Sequence, residues 1–190
     1  MIHTKVPQPA RQRLIDSADR LFYSQGIQAT GVDQVIAEAQ VAKATLYSNF
    51  PGKDALIAAY LEQRLESWIV SVRAVDDATL PTFERVDRLF ALLERGVRSP
   101  DFKGCPFTNA VVERPTIATV REVVRRYRGV LTEHIATISG LKISDPRVTR
   151  LAIIYDGALA AAKSAQDWEA VEEARRFAID VVTKGPNRPR

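Results

Sequence analysis

Thr30-Gly-Val-Asp-Gln-Val-Ile-Ala-Glu-Ala-Gln40-Val-Ala-Lys-Ala-Thr-Leu-Tyr-Ser-Asn-Phe50 is the stretch that decides the fold. Val32, Val35, Ile36 and Ala39 recur at helical spacing and give a short helix one inward face. Thr30 is placed to cap that helix, with Asp33 reaching back toward the cap nitrogen. A tight turn through Gln40-Val41-Ala42 follows. In the second short helix Leu46 and Phe50 stand four apart and point the same way. At about 100° per residue, Ala44, Thr45, Tyr47 and Ser48 then lie on the outer side, with Lys43 and Asn49 at its margins. Two short helices at a steep angle, the second with a small, polar outer face, form a helix-turn-helix that fits a DNA major groove. Hydroxyls and amides on such a face bond base edges or phosphates. The competing reading is a plain helical hairpin with a solvated polar face.

The flanks fit a three-helix unit. Ala10 to Gln25 reads as a helix with Leu14, Ala18, Leu21 and Phe22 on one stripe, and Gly26 follows where a left-handed cap is expected. Phe50-Pro51-Gly52-Lys53-Asp54 is a sharp break into a long helix. Residues ~10 to ~60 resemble the DNA-binding domain of TetR/AcrR-type transcriptional regulators. The resemblance rests on Ala18, Leu21-Phe22, Gly26, Ala29-Thr30, Val35-Ile36-Ala37, Val41, Lys43, Thr45 through Phe50, and Lys53-Asp54-Ala55-Leu56, in order and without a gap.

The resemblance implies an all-helical homodimer that represses transcription from a palindromic double-stranded DNA operator until a small-molecule effector binds its C-terminal domain. It implies that the Tyr47 hydroxyl holds a phosphate and that Lys53 pairs with another at the start of the fourth helix. It puts Thr30 and Gly31 at a helix N-terminus that approaches the backbone, where the dipole favours an anion. Lys43, Ala44, Thr45, Ser48 and Asn49 face base edges or flanking phosphates. Two positions depart from the family pattern. Gln40 stands where Gly is common, which demands a left-handed Gln or a different turn. Ala42 stands where a Ser cap is common, a loss of about 1 kcal/mol.

Composition agrees with a globular regulator. The 190 residues are 46% hydrophobic, and 27 basic against 23 acidic side chains leave a net charge of +4. That balance permits a nucleic-acid partner without demanding one. In the first 60 residues Lys5, Arg11, Arg13, Arg20, Lys43 and Lys53 face Asp16, Asp19, Asp33, Glu38 and Asp54, so the basic surplus is local to Val41–Lys53. No run approaches the ~18 apolar residues of a membrane span, and no secretory leader is visible. A cytoplasmic location is expected. One Cys and two His, scattered, give no disulfide framework and no metal cluster, and no cofactor is expected.

The rest reads as further helices, about nine in all and no strands. The fourth runs from about Lys53 to Val75 with Ile57, Leu61, Trp68 and Val72 as its stripe; the fifth carries Phe83, Val86, Phe90, Leu93 and Val97. Pro106 opens a short sixth. The seventh carries Ile117, Val120, Val124, Tyr127, Leu131, His134 and Ile138, and Asp145-Pro146 caps the eighth. The expected organisation is a flexible arm over 1–9, a helix-turn-helix domain over 10–54 with helix four from 53 as connector, and a ligand-binding and dimerisation domain over 55–185. The last two helices, with Leu151, Ala152, Ile154, Tyr155, Ala158, Leu159 and Ala162 and then Val171, Ala174, Phe177, Ala178 and Val181, are expected to pair two copies. Candidate effector-pocket residues are Trp68, Phe83, Phe90, Cys105, Phe107, Tyr127, His134 and Tyr155. Plain core filling is the competing reading for the aromatics, and a hydrogen-bonded core histidine for His134.

Gly104-Cys105-Pro106 puts a thiol at a helix start, where a thiolate is stabilised. The segment through Ala110 is similar to one in a family subgroup that includes thiol-based sensors of electrophiles and oxidants. Two other functions stay open on the residues alone: a small all-helical enzyme using Cys105 and His134, and a helical adaptor working through the last two helices. The expected class is a non-enzymatic DNA-binding regulator.

Overall fold

The structure is a computed structural model that describes residues 8–184. Among them are nine α-helices and no strand: α1 (Ala10–Gln25), α2 (Val32–Ala39), α3 (Lys43–Asn49), α4 (Lys53–Val75), α5 (Thr82–Val97), α6 (Pro106–Glu113), α7 (Ala118–Ser139), α8 (Pro146–Ala165) and α9 (Trp168–Thr183). Most of the arm expected over 1–9 lies outside the described residues. Gln8, within them, donates to Asp16 Oδ2 at 2.7 Å.

The chain packs as two units. The first takes the residues up to Leu65 together with Pro106–Val124; the second takes Glu66–Cys105 and Arg125 onward. The short helix α6 thus belongs to the same unit as the helix-turn-helix.

In the first unit α1 lies against α2 and α3. Their apolar stripes close on one core: Leu14, Ala18 and Phe22 of α1, Ile27 of the following loop, Val35 and Ala39 of α2, Leu46 of α3 and Phe50 after it are all buried. Leu56, Ile57, Tyr60 and Leu61 of α4 are buried too, and the Tyr60 ring meets Phe22 edge-on at 5.8 Å. At about 25 cal/mol per Å² of apolar area, such a core fixes the angle at which α3 is held. A polar seam runs beside it. Gln12 donates to Asp16 and Gln63, Gln63 donates to Asp16, and Arg64 forms a two-point pair with Asp19.

Gly26 ends α1 with φ +96° and ψ 152°. The expected left-handed cap is therefore corrected to an extended turn with positive φ, a region that essentially only glycine enters. A second constraint acts there: a Cβ on Gly26 would lie 3.2 Å from a carboxylate oxygen of Glu113.

In the second unit α8 packs against α9, and α5 against both. The expected stripes are mostly inward: Val86, Phe90, Leu93 and Val97 of α5, Tyr127, Leu131 and Ile138 of α7, and Leu151, Ala152, Tyr155, Ala158 and Ala162 of α8 are buried, and Val120, on the part of α7 that belongs to the first unit, is buried there. Phe83 is the exception on α5. It is 42% exposed, because α5 begins only at Thr82 and its first turn extends past the core. On α7 the inward row follows 3.6-residue drift: Val123 and Ile135 are buried where Val124 and His134 had been placed, and those two are half-buried. Arg175 of α9 grips Asp87 of α5 through two bonds, at 2.6 and 2.7 Å, and reaches Glu94 at 3.2 Å. Two parallel N–H bonds to one carboxylate fix orientation as well as distance. Asp145 caps α8 as expected, accepting from the Arg147 amide at 2.9 Å, with Pro146 in the first turn.

Candidate nucleic-acid interface

The turn between α2 and α3 is built from backbone. Gln40 adopts the left-handed conformation, φ 53° and ψ 51°. Its N–H donates to the Ala37 carbonyl at 3.1 Å, and the Val41 N–H reaches the Ile36 carbonyl at 3.3 Å. The latter pattern closes a Schellman-type end, which satisfies carbonyls left over by α2. The departure at Gln40 thus leaves the turn's geometry intact, with strain as its consequence. Ala42 occupies the cap position of α3 with extended backbone and no side-chain cap bond. The Thr45 N–H is instead closed onto the Ala42 carbonyl at 2.9 Å.

Leu46, fully buried, anchors α3. Rotation about that anchor turns Lys43, Ala44, Tyr47 and Ser48 outward, with Thr45 and Asn49 half-buried at the margins. Tyr47 is 50% exposed, and its hydroxyl makes no hydrogen bond among the described residues. Ser48 Oγ and Asn49 Nδ2 both donate to the Thr45 carbonyl, at 3.0 and 2.8 Å. The Asn49 side-chain oxygen and the Thr45 hydroxyl make no hydrogen bond among the described residues. Lys43 Nζ lies 3.0 Å from Asp33 Oδ1, and that carboxylate raises the ammonium's pKa.

Thr30 does not cap α2. Its hydroxyl donates to the Gly26 carbonyl at 2.8 Å, and the side chain is fully buried. The cap position belongs to Gly31, which makes no side-chain bond. The turn at Gly26 brings its carbonyl within reach of Thr30, so the hydroxyl closes the loop. Asp33, expected to reach back to the cap nitrogen, pairs with Lys43. What Thr30 and Gly31 bring outward is therefore backbone, not the threonine side chain.

Lys53 stands in the first turn of α4 with its ammonium 5.9 Å from the Phe22 ring centroid. Partial burial, then the nearby Arg114 guanidinium, lower its pKa. Arg114 Nη2 bonds Asp54 at 2.8 Å. Just before it, Glu113 grips the α1–α2 loop twice: its carboxylate accepts from the Gln28 N–H at 2.8 Å and its carbonyl from Gln28 Nε2 at 2.7 Å. Glu113, the last residue of α6, and Arg114, just after it, were not expected from the sequence. They lie 85 positions from Gln28 and 60 from Asp54, and no local pattern signals such a contact.

A probabilistic family model described as "Bacterial regulatory proteins, tetR family" matches residues 14–60, the span just described. A TetR-family transcriptional regulator from Streptomyces coelicolor is similar over nearly the whole molecule, with 33% identity, 92% of this chain and 95% of that one covered, and a TM-score of 0.84. The chain belongs to the TetR family. It is a DNA-binding transcriptional regulator by that membership, with the all-helical fold and N-terminal helix-turn-helix of the family. The HTH-type transcriptional repressor DhaR of Mycobacterium sp. (strain GP1) is 26% identical over 118 residues, and that match spans 57% of its length and 62% of this chain. The HTH-type transcriptional activator FasR of Mycolicibacterium smegmatis is 25% identical over 158 residues, 70% of its length and 79% of this chain. Relatives thus act in both directions on transcription.

Among the effector-pocket candidates of this TetR-family chain, the second unit brings five rings together. Trp68 meets Tyr127 edge-on at 5.6 Å and His134 at 6.3 Å, and Phe90 meets Tyr155 at 5.8 Å. Trp68 Nε1 donates to the Tyr155 hydroxyl at 3.2 Å. Burial pushes both tyrosine hydroxyls far above the ordinary range and pushes His134 down, so each is neutral near pH 7. Cys105 lies near both tyrosines. Phe83 is exposed, and Phe107 is buried and belongs to the first unit. Among the described residues no group of three His, Cys, Asp or Glu converges as metal ligands, and no helix is long and apolar enough to cross a membrane.

Proposed function

We propose that this TetR-family regulator is a repressor that binds a palindromic operator as a homodimer and is released by a small, largely apolar effector. The observation that carries the reading is the outward row Lys43, Ala44, Tyr47 and Ser48 on a helix anchored by Leu46. Small side chains let α3 enter the major groove, while Thr45, Ser48 and Asn49 offer hydroxyl and amide groups to base edges. Tyr47 and Lys53 take phosphates, as do the amides at the start of α2 beside Thr30 and Gly31. Residues 10–54 act as the reading head and 55–185 as the effector and dimer domain, the last residue of that span lying outside the described ones.

Two exposed apolar side chains support pairing of copies through α8 and α9: Ile153 is 63% exposed and Phe177 53%. Most of the small residues first assigned to that interface, such as Ala158 and Ala162, face the unit's own core. Pairing then presents two α3 helices about one helical turn of DNA apart, or a multiple of it (~34–36 Å). The effector enters beside Trp68, Phe90, Tyr127, His134 and Tyr155. Since these groups are uncharged near pH 7, a neutral aromatic or aliphatic molecule suits them better than an ion. Its leverage is differential affinity for the two arrangements of the dimer.

The enzyme reading finds no support in the geometry: no hydrogen bond joins Cys105 and His134 among the described residues. A thiol-sensing variant of the regulator has one supporting observation, the nearness of Cys105 to Tyr127 and Tyr155. Selection of duplexes from a random pool, followed by gel-shift titration against salt, tests the reading. A palindrome should emerge, bound about 10³-fold or more above random duplex, with affinity falling steeply as salt rises. Weak, sequence-blind binding would refute it.

A further inference from the structure

The reading surface of the head carries less positive charge than groove binding ordinarily uses. Between Thr30 and Gly52 the charged residues are Asp33, Glu38 and Lys43, one cation against two carboxylates. Glu38 is held by Arg20 of α1 at 3.0 Å. Lys43, the first residue of α3, is held by Asp33, from the first turn of α2, at 3.0 Å. Both members of this second pair are exposed, the lysine side chain at 62% and the aspartate at 76%. The pair is therefore no contribution to the core, and exposed pairs of this kind stabilise a fold little. Its consequence falls on the surface itself. The cation at the entrance of α3 is neutralised before any duplex arrives, and a carboxylate stands beside it.

We propose that Asp33 is a specificity-determining residue of the head, acting by withholding Lys43 from the phosphate backbone of sequence-blind DNA. The assignment rests on the DNA-reading role of α3. Random duplex attracts a protein almost wholly through phosphate charge, each neutralised phosphate adding about 0.9 to the salt slope. With Lys43 tied to Asp33 that term is missing, and the Asp33 carboxylate adds repulsion. A duplex whose base edges match Thr45, Ser48 and Asn49 supplies what charge does not. It binds in spite of the pair, so the ratio between operator and random duplex widens.

The test uses the full-length protein, a duplex enriched by the wild type from a random pool, and an unselected random duplex of equal length. Asp33→Asn keeps the side chain's size and removes its charge. It is expected to bind random duplex several-fold tighter at 50 mM salt, to steepen the slope of log affinity against log salt by about 0.9 per head, and to narrow the operator-to-random ratio. Asp33→Glu keeps a carboxylate within reach of Lys43 and should stay near wild type, which separates loss of charge from disturbance of α2. In a Lys43→Ala background the slope change from Asp33→Asn should vanish, and only the smaller gain from relieved repulsion should remain. A folded Asp33→Asn protein with unchanged random-duplex affinity and slope overturns the proposal, as does a slope change that persists in full without Lys43. If the wild type enriches no sequence at all, the DNA-reading role of α3 fails and this inference falls with it. If it enriches one and Asp33→Asn changes nothing, the inference alone fails.

Discussion

Gln40→Gly should stabilise the protein while leaving the helix-turn-helix as it is. Gln40 sits at φ 53° and ψ 51°, where its Cβ crowds the following carbonyl. For an L-residue that conformation costs roughly 1–2 kcal/mol. Glycine removes the crowding but gives up about 0.5–1 kcal/mol through the extra freedom of the unfolded chain. The difference favours glycine by about 0.5–1 kcal/mol, or roughly 1–4 °C in Tm for a chain of this size. The side chain is exposed and makes no hydrogen bond, so nothing is lost with it. Both turn bonds, from the Gln40 and Val41 amides, are backbone bonds and persist. Gln166, at φ 51° after α8, is an internal control in the second unit, and its glycine variant should gain a similar amount. Differential scanning calorimetry, with Gln40→Ala alongside, measures this. Alanine retains the Cβ and should gain nothing. A glycine variant no more stable than the alanine one would refute the argument that Cβ strain, rather than the glutamine's own contacts, sets the energy of this turn.

Ala42→Ser should restore a side-chain acceptor at the start of α3 and add about 1 kcal/mol, read as a higher denaturation midpoint with unchanged m-value. Glu113→Ala removes the charged acceptor of the exposed Gln28 N–H, which water replaces in part, and should destabilise the first unit by about 1 kcal/mol, seen as faster amide exchange in the α1–α2 loop, while Glu113→Gln, which keeps an acceptor oxygen, should retain much of the protection. Asp145, held down to about 2 by its bonds from Arg147, titrates from an unfolded value of 3.8. Its folded pKa is depressed, so its contribution is fully present above about pH 4 and is lost as pH falls toward 2; α8 should fray in that window by amide exchange, and Asp145→Asn should remove the pH dependence there.

The helices were legible because their signals are local. Stripes on α1, α4 and α5, the Asp145-Pro146 start of α8 and the Gly26 stop of α1 are each contained within a few turns of chain. At Gln40 the family's usual glycine left two readings, a left-handed Gln or a different turn, and the structure takes the first. What failed was side-chain direction at element ends. Thr30 looked like a cap because spacing places it near α2's first amides. The actual winner is the Gly26 carbonyl, which is near only because the preceding turn is extended with positive φ. Phe83 matched the spacing of α5, yet spacing cannot say how far the core extends along a helix.

The α6 contacts were illegible for a deeper reason. Glu113 and Arg114 carry no periodic signal, and their partners Gln28 and Asp54 are ordinary polar residues of a loop and a helix start. Their meaning comes only from assembly, and it bears on how a helix-turn-helix head is held. The apolar core formed by Leu14, Val35, Leu46 and Phe50 fixes α3 against α1 and α2. Ile27 ties the loop from Gly26 to Thr30 into that core, but the Gln28 N–H has no helical partner. Glu113 supplies one, bonding the Gln28 N–H with a charged acceptor, a stronger bond than a neutral one. Its carboxylate lies over Gly26, 3.2 Å from where a Cβ would be, so a side chain there would make the glutamate give by a few tenths of an ångström. The φ of +96° is the first reason for glycine at this position, and the close carboxylate is a second, smaller one. Gly26→Ala should therefore destabilise the loop through both the dihedral and the crowded carboxylate, and Gly26→Ala combined with Glu113→Ala should cost less than the sum of the two single losses, because the crowding is then absent. Full additivity of the two losses would show that the carboxylate and the glycine do not share one constraint.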